Sequence, residues 1–237
     1  MSVDIVEVEI NPLDQFYYVS REAGETFAVR EYIMHTALYY AFNLLPSRFR
    51  VTEHTPSYQE HFEESDLAND LYIHPAVPVD RTSGSYTTRR FAVKGDEFRQ
   101  RAEEENKNLK ETGHQQFIHP ETRFRTFVIA DNRGAELVNR LPPYIRVGKK
   151  MTVARLRTSL HTADPDIREF ELSQPVGNVD LPTDTYSVTG DVRLESMMPV
   201  NVLTEAMVEG PHVKVDPEFG PSTPIALPTK AEFLHSN

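Results

Sequence analysis

The stretch "FYYVSREAGETFAVREYIMHTALYYAFNLLP", residues 16–46, joins an aromatic run directly to an apolar helical pattern. Apolar side chains recur at spacings of three and four in its second half, which predicts an amphipathic helix. Pro46 ends this helix, because the residue before a proline is disfavoured in the α region. The joint between first strand and helix is then "SREAGET" (20–26), where Gly24 can adopt a positive φ. The predicted polar side of the helix carries His35, Thr36, Tyr39 and Asn43.

The composition limits the kinds of protein and site to be considered. Among 237 residues there is no cysteine, which excludes disulfides, thiolate metal sites and a cysteine nucleophile. No apolar run approaches the roughly 20 residues of a membrane helix, and the start "MSVDIVEVEI" has no basic segment. We therefore expect a cytoplasmic protein without membrane contact. Arg outnumbers Lys by 18 to 7, and with the excess of acids this suits a salt-rich cytoplasm.

The charge distribution points to a polyanionic partner, although the net charge of −11 does not. Residues 81–157 contain 17 of the 25 Lys and Arg but only 9 of the 36 Asp and Glu, a local charge of +8 against −19 elsewhere. A basic segment in an acidic chain is typical of a nucleic-acid or polyphosphate site. The alternative is that strands simply alternate apolar residues with arginine.

Several segments have patterns that predict strands or loops. "VDIVEVEI" (3–10) alternates apolar and polar residues, which predicts a strand with one side in solvent. "SYTTRRFAV" (85–93) and "TRFRTFVIA" (122–130) are rich in Arg and aromatic residues and flank the polar segment 94–121. We predict that they pair as a long hairpin with a polar tip. Residues 52–85 have little periodicity, which predicts a loop insertion.

Two further segments complete the predicted fold. "PYIRVGKKMTVARLRTSL" (143–160) alternates apolar with basic residues, and the alternation slips after Val153. We predict one strand with a β-bulge near Val153 that redirects its basic face. Five prolines over 211–237 predict an extended C-terminal tail along the surface.

The motifs favour RNA binding over metal or nucleotide chemistry. The segment "EHTPSYQEHFEE" (53–64) groups two histidines with glutamates, but its spacing fits no compact ligand motif, and we expect no metal or other cofactor. His35 is either a general base or a packing residue. Arginines interleaved with Phe91, Phe124, Phe127 and Tyr144 suit unpaired RNA, because aromatic rings stack on bases while guanidinium groups bind phosphates. Some of these aromatic residues are expected to pack in the core and not to bind RNA.

Four segments resemble one known family in order and spacing. They are "YYVSREAGETFAVREYIMHTALYYAFNL" (17–44), "YIRVGKKMTVARL" (144–156), "QPVGNVDLP" (174–182) and "MPVNVLTEAMVEGPH" (198–212). Together they resemble the Cas-five-like subunit of the type I-D CRISPR Cascade complex, the Csc-one family.

The resemblance implies an α+β protein of the RAMP superfamily. It implies a single domain over 1–237, with a ferredoxin-like, RRM-related antiparallel sheet, helices on one face and a protruding thumb hairpin at about 85–130. It also implies a subunit that binds the 5′ handle of the guide RNA and contacts the Cascade backbone subunits and the large subunit. Contact with target double-stranded DNA is then indirect.

The resemblance implies no catalytic residue, since a separate subunit normally cuts the guide. The alternatives are a metal-independent endoribonuclease that processes the CRISPR repeat RNA and a scaffold that contacts only protein. Arg21 is the expected centre of the "SREAGET" contact, because its planar fork of donors suits phosphates and base edges. The full set of expected RNA-binding residues is Arg21, Gly24, His35, Arg89, Arg90, Lys94, Arg123, Arg125, Tyr144, Arg146, Gly148, Lys149, Lys150, Arg155 and Arg157.

Overall fold

A computed structural model describes residues 2–17, 21–23, 26–28, 32–45, 58–79, 86–92, 112–120, 122–148, 152–197 and 200–232. Within these residues the chain is mainly β structure with few helices. The helices are α1 (His35–Ala41), α2 (Tyr58–Glu63) and α3 (Gly134–Arg140), with a 3₁₀ turn at Ala68–Asp70. None of the helices in the described ranges is long and apolar enough to span a membrane.

Fifteen strands are present in the described residues. They are β1 (Val3–Pro12), β2 (Arg21–Ala23), β3 (Thr26–Ala28), β4 (Tyr72–Ile73), β5 (Val77–Pro78), β6 (Tyr86–Ala92), β7 (Thr112–Ile118), β8 (Phe124–Ile129), β9 (Tyr144–Val147), β10 (Thr152–Ala163), β11 (Asp166–Glu171), β12 (Val176–Gly177), β13 (Ser187–Glu195), β14 (Val202–Val215) and β15 (Ile225–Pro228).

β1 is the middle strand of the largest sheet. Six described strands form this sheet in the order β4, β8, β1, β10, β9, with β5 also paired to β8. β8 and β10 both run antiparallel to β1, and Glu9 has Arg125 and Arg157 as its cross-strand partners. Directly paired residues share a face of the sheet. The odd-numbered residues of β1 therefore lie on one face with Arg125 and Arg157, and the even-numbered ones lie on the other.

Elements of the fold cover both faces of β1. On the even-numbered face, Val6 and Val8 belong to one hydrophobic core with Leu38 of α1 and Leu137 of α3. The two helices thus pack on the same face, as predicted for an antiparallel sheet with helices on one side. The ferredoxin-like order of elements stays a prediction, as does the single domain over 1–237.

The prediction that one side of β1 faces solvent is wrong. Glu7 and Glu9 are 0% and 2% exposed, although both carry a carboxylate. A second layer lies over the odd-numbered face: Ile5 packs in a core with residues of β11 and β14. An acidic residue in an alternating strand faces solvent unless other parts of the fold donate hydrogen bonds to its carboxylate. Glu7 and Glu9 both have such donors.

The second layer is a sheet built around β14. Among the described residues, β11, β12, β13 and β15 all pair with β14. Its inner side meets the central sheet through a core that includes Phe127 and Ile129 of β8 with Phe170, Val208 and Leu227. This layer covers the β1 end that begins at Val3.

The predicted strand over 143–160 is a hairpin. β9 and β10 pair antiparallel, with Val147 opposite Thr152, and the chain turns between them. Gly148 begins the turn at φ +74°, and a Cβ added there would lie 2.7 Å from the Tyr17 carbonyl oxygen. The slip in the alternation is thus explained by the reversal of the chain, and the predicted bulge near Val153 is wrong.

The long hairpin also pairs differently from the prediction. β6 pairs with β7, with Arg89 opposite Gln115, and residues 93–111 between them lie outside the described residues. Strand 122–130, the predicted partner, instead forms β8 beside β1. All six residues of β8 are buried, which suits a strand covered on both sides better than a protruding one. A further sheet joins β6 and β7 to β3 and β2.

Two segments predicted to be irregular contain regular structure. Within 52–85, α2 and the 3₁₀ turn precede β4 and β5, which pair with β8. Residues 71–79 are buried, so this part of the predicted loop insertion belongs to the core. In the predicted tail 211–237, β14 continues to Val215 and β15 pairs with it.

The first helix is shorter than predicted, and three of the four residues on its predicted polar side are buried. α1 begins at His35 and ends at Ala41, and Asn43 has φ 58°. His35, Thr36 and Tyr39 all lie in the interior, where the Tyr39 hydroxyl donates to the Leu71 carbonyl at 2.6 Å. The "SREAGET" segment contains β2 and the first residue of β3, which pair antiparallel, and it does not lead directly into the helix.

Glu7 fixes the C-terminal segment across the central sheet. Its two carboxylate oxygens accept the backbone N–H groups of Glu218 at 2.7 Å and Phe219 at 2.9 Å. His161 of β10 contacts the same carboxylate at 2.9 Å. From β8, the Arg125 guanidinium donates to the Phe219 carbonyl at 2.6 Å. One buried carboxylate and one buried guanidinium therefore anchor this segment on the odd-numbered face.

We predict that Glu7→Gln destabilises the protein by about 1–3 kcal/mol, because the amide can accept from only one of the two N–H groups and leaves the other buried and unpaired. Urea denaturation would measure the free energy of unfolding. Glu218→Gln is the control, since this exposed residue should change stability by no more than about 0.5 kcal/mol. Equal stability of the Glu7 and Glu218 variants would contradict the anchoring role.

Candidate functional site

An aromatic residue and three arginines lie on one face of the central sheet, at the edge formed by β9 and β10. Tyr144 of β9 is the direct partner of Arg155 in β10, and Arg146 is the partner of Val153. Arg157 follows two residues after Arg155, so it lies on the same face. Tyr144 and the three arginines Arg146, Arg155 and Arg157 are exposed. We call this group the open face.

The local sequence explains why the open face has this composition. In "YIRV" of β9, Ile145 and Val147 are buried in the core on the helical side, so Tyr144 and Arg146 point the other way. β10 repeats the pattern with Ala154 and Leu156 buried. Tyr144 is 55% exposed, which is unusual for a ring in a sheet and leaves its surface available for stacking.

Glu9 lies beneath two arginines at the edge of the open face. Its Oε1 accepts from Nη1 of Arg157 at 3.2 Å, and its Oε2 accepts from Nη1 of Arg123 at 3.2 Å. The Glu9 side chain is 3% exposed, whereas those of Arg123 and Arg157 are 39% and 53% exposed. Both guanidinium groups are therefore held from below and reach solvent above.

Arg125 and Phe219 lie next to the contact between Glu9 and Arg157. Arg125 is buried, its guanidinium lies 5.4 Å from the Phe127 ring, and burial lowers its pKa although Glu7 opposes the shift. Arg157 lies 4.7 Å over the ring of Phe219. Sequence reasoning missed Glu9 and Phe219. The acid in an alternating strand looked solvated, and nothing in the tail indicated where Phe219 packs.

The structure brings together some of the expected RNA-binding residues and not others. Tyr144, Arg146, Arg155, Arg157 and Arg123 come together, whereas Arg125 and His35 are buried and Gly148 shapes the β9–β10 turn. Arg21, Arg89 and Arg90 belong to described strands, but their side chains lie outside the described part. Gly24, Lys94, Lys149 and Lys150 lie outside the described residues altogether.

Part of the basic segment 81–157 is neutralised within the chain. Arg133 of the turn before α3 pairs with Asp70 at 2.6 Å and with Glu136 at 2.9 Å. Arg140 pairs with Asp66 at 3.1 Å. These arginines hold α3 against the 3₁₀ turn, so the local charge of the sequence overstates the charge of the open face.

His35 lies in a buried polar cluster between the sheets. Its Nε2 lies 3.3 Å from Asp180 Oδ2, and the Tyr72 hydroxyl donates to the same oxygen at 2.9 Å. His74 Nδ1 lies 3.1 Å from the Pro175 carbonyl oxygen, and Gln174 Nε2 donates to the Pro75 carbonyl at 2.7 Å. Each of these side chains is buried, so His35 cannot reach a ligand in solvent.

Burial keeps both histidines of this cluster neutral. It lowers the pKa of His35 to about 3, with the nearby His74 as a second cause. It lowers the pKa of His74 to about 4, against a smaller opposing effect of the Pro175 carbonyl. Within the described ranges no group of three or more His, Asp or Glu side chains could hold a metal ion. The role of the cluster is structural: its contacts join α1, β4 and the segment that ends at Asp180.

Comparison with known proteins places this chain. The model of the family described as type I-D CRISPR-associated protein Cas5/Csc1 matches residues 3–236. The chain belongs to the Cas5/Csc1 family. No curated protein matches the chain. The resemblance found in the sequence is thus confirmed over nearly the whole Cas5/Csc1 chain.

Solved CRISPR structures show a weaker likeness at 11% identity. A chain of the cryo-EM structure of type III-B Cmr-beta bound to cognate target RNA and AMPPnP has a TM-score of 0.46, with 86% of each chain covered. A crystal structure of a CRISPR protein from Archaeoglobus fulgidus has a TM-score of 0.42, covering 95% of this chain and 98% of that one. A chain of the Csm1-Csm4 cassette in complex with cA3 has a TM-score of 0.37, covering 98% and 100%. The family assignment rests on the sequence match alone.

We predict that the buried histidines make stability fall with acid. The unfolded chain takes up protons below the ordinary histidine pKa of 6.5, whereas the folded chain does not until the pH nears 3 to 4. The free energy of unfolding is thus highest above pH 6.5 and decreases below it, by about 2 kcal/mol per histidine at pH 5.

Unfolding in urea at pH 7 and pH 5 would measure this loss for the wild type and for His74→Gln, which retains a donor for the Pro175 carbonyl. The slope of stability against pH should decrease by about 1 kcal/mol per pH unit in the variant. Thr183→Ser, at an exposed residue whose side chain does not titrate, is the control and should retain the slope. An unchanged slope in His74→Gln would show that His74 does not titrate as described.

Proposed function

We propose that the chain is the guide-RNA subunit of a type I-D CRISPR effector complex and binds the 5′ handle of the guide on its open face. The observation that carries the proposal is the exposed Tyr144 ring directly beside Arg155, with Arg146 and Arg157 on the same face. Membership of the Cas5/Csc1 family supports the role in the complex.

The chemistry of the open face suits single-stranded RNA. A base can stack on the Tyr144 ring whatever its identity, because every base has an aromatic face. The surrounding guanidinium groups each present several donors in one plane, which matches phosphate oxygens. The β6–β7 hairpin then acts as a thumb across the guide, and the backbone and large subunits contact other surfaces of the chain. Target double-stranded DNA is contacted indirectly, and the complex works in the cytoplasm.

We propose that the chain acts without catalysis. Three of the described histidines are poorly placed for the endoribonuclease alternative, since His35 and His74 are buried and His161 contacts Glu7. We expect repeat RNA to stay intact when incubated with the purified chain in EDTA, as measured on a denaturing gel. Specific cutting within the repeat would favour the nuclease.

Tyr144→Ala should weaken binding of handle RNA by about 1–3 kcal/mol, the range measured for loss of a stacking ring. Tyr144→Phe keeps the ring and should bind like the wild type. Arg155→Ala should lower the slope of log K against log salt by about 0.7 if it binds one phosphate. Fluorescence anisotropy at several salt concentrations would measure both effects.

The matched control is Arg168→Ala. Arg168 is likewise an exposed arginine in a strand, but it belongs to β11 of the second sheet. We expect its affinity and salt slope to equal those of the wild type. Equal losses in the Arg155 and Arg168 variants, or none in either Tyr144→Ala or Arg155→Ala, would remove the open face from the RNA interface.

A further inference from the structure

Glu9 is a buried carboxylate in a surface that is proposed to bind a polyanion. It contacts Arg123 and Arg157 through one Nη1 each, at 3.2 Å in both cases. A carboxylate at this place lowers the positive charge of the open face, and its burial is itself unfavourable. Electrostatic attraction to phosphate alone would favour a neutral residue at this position.

The geometry of the contact suggests what Glu9 contributes. Arginine has five N–H donors, so a contact with Glu9 through one Nη1 does not occupy the whole guanidinium group. Both arginine side chains are partly exposed, at 39% for Arg123 and 53% for Arg157. Arg157 is held on a second side by the Phe219 ring at 4.7 Å. Glu9 therefore contacts both guanidinium groups while part of each arginine side chain stays exposed to solvent.

We propose that Glu9 is a positioning residue that holds Arg123 and Arg157 in place for the RNA backbone. Long side chains lose rotational freedom when they bind, and a carboxylate that already orders them reduces that loss. Phe219 assists on the Arg157 side, and Glu7 in turn fixes Phe219 by accepting its N–H at 2.9 Å. The inference rests on the RNA-binding role proposed above.

Positioning and simple charge predict opposite results for one substitution. Glu9→Gln has nearly the same shape but no charge, so the open face becomes more positive by one unit. If charge alone mattered, RNA would bind more tightly. Because positioning matters, we expect binding of handle RNA to weaken roughly tenfold, the loss expected when two ordered arginines become mobile.

The control is Glu218→Gln, which removes a carboxylate from the same region. Glu218 accepts from the Ser159 hydroxyl at 2.6 Å and forms no ion pair with an arginine in the described part of the chain. We expect this variant to bind RNA as tightly as the wild type or more tightly. Anisotropy titrations of all variants at two salt concentrations would give the affinities, and thermal unfolding would check that each is folded.

Arg157→Lys provides a second test that does not depend on how well Glu9→Gln folds. Lysine keeps the charge but lacks the planar fork, so we expect weaker binding with an unchanged salt slope. Equal or tighter binding by Glu9→Gln, or wild-type affinity of Arg157→Lys, would overturn the positioning role. If Tyr144→Ala and Arg155→Ala weaken binding while these two variants do not, the inference fails and the proposed function stands.

Discussion

The hydrogen bonds of two buried carboxylates on β1 determine how the rest of the odd-numbered face is built. A carboxylate inside a sheet is tolerated only when donors surround it. Glu7 receives them from the backbone of residues 218 and 219, and Glu9 receives them from Arg123 and Arg157. The position of the C-terminal segment and the direction of two arginines both follow from this requirement.

These bonds divide the odd-numbered face into three zones. At the Val3 end the second sheet covers it, and in the middle the Phe219 segment lies across it. At the far end Tyr144 and Arg155 remain exposed. The zone that is open is also the zone with the exposed arginines of β9 and β10.

The sequence predicted which segments form strands better than it predicted which strands pair with each other. β1, β6 and β8 all lie where alternation or aromatic content placed strands, and the family was recognisable from four motifs. The pairing of β6 with β7 was missed, because pairing between distant segments is not encoded in local periodicity. The slip in alternation over 143–160 predicts a bulge near Val153, whereas β9 and β10 pair as an antiparallel hairpin, and both features interrupt the alternation in the same way.

Burial of polar residues was the main feature that sequence patterns could not show. "VDIVEVEI" has the same pattern whether its glutamates meet water or the donors of a distant segment. His35 and Tyr39 occupy the polar side of a helix by residue type, yet their partners Asp180 and Leu71 lie inside the fold. The contact between Glu9 and Arg157 joins residues 148 positions apart, beyond the reach of any local signal.

The most direct test of RNA binding at the open face is photo-crosslinking in an assembled type I-D complex with thiouridine placed in the handle of the guide. Mass spectrometry would identify the attached peptides. We expect attachment to the peptide 141–146, which contains Tyr144, and loss of that attachment in Tyr144→Ala. Handle crosslinks confined to the second sheet, around 166–195, would contradict it.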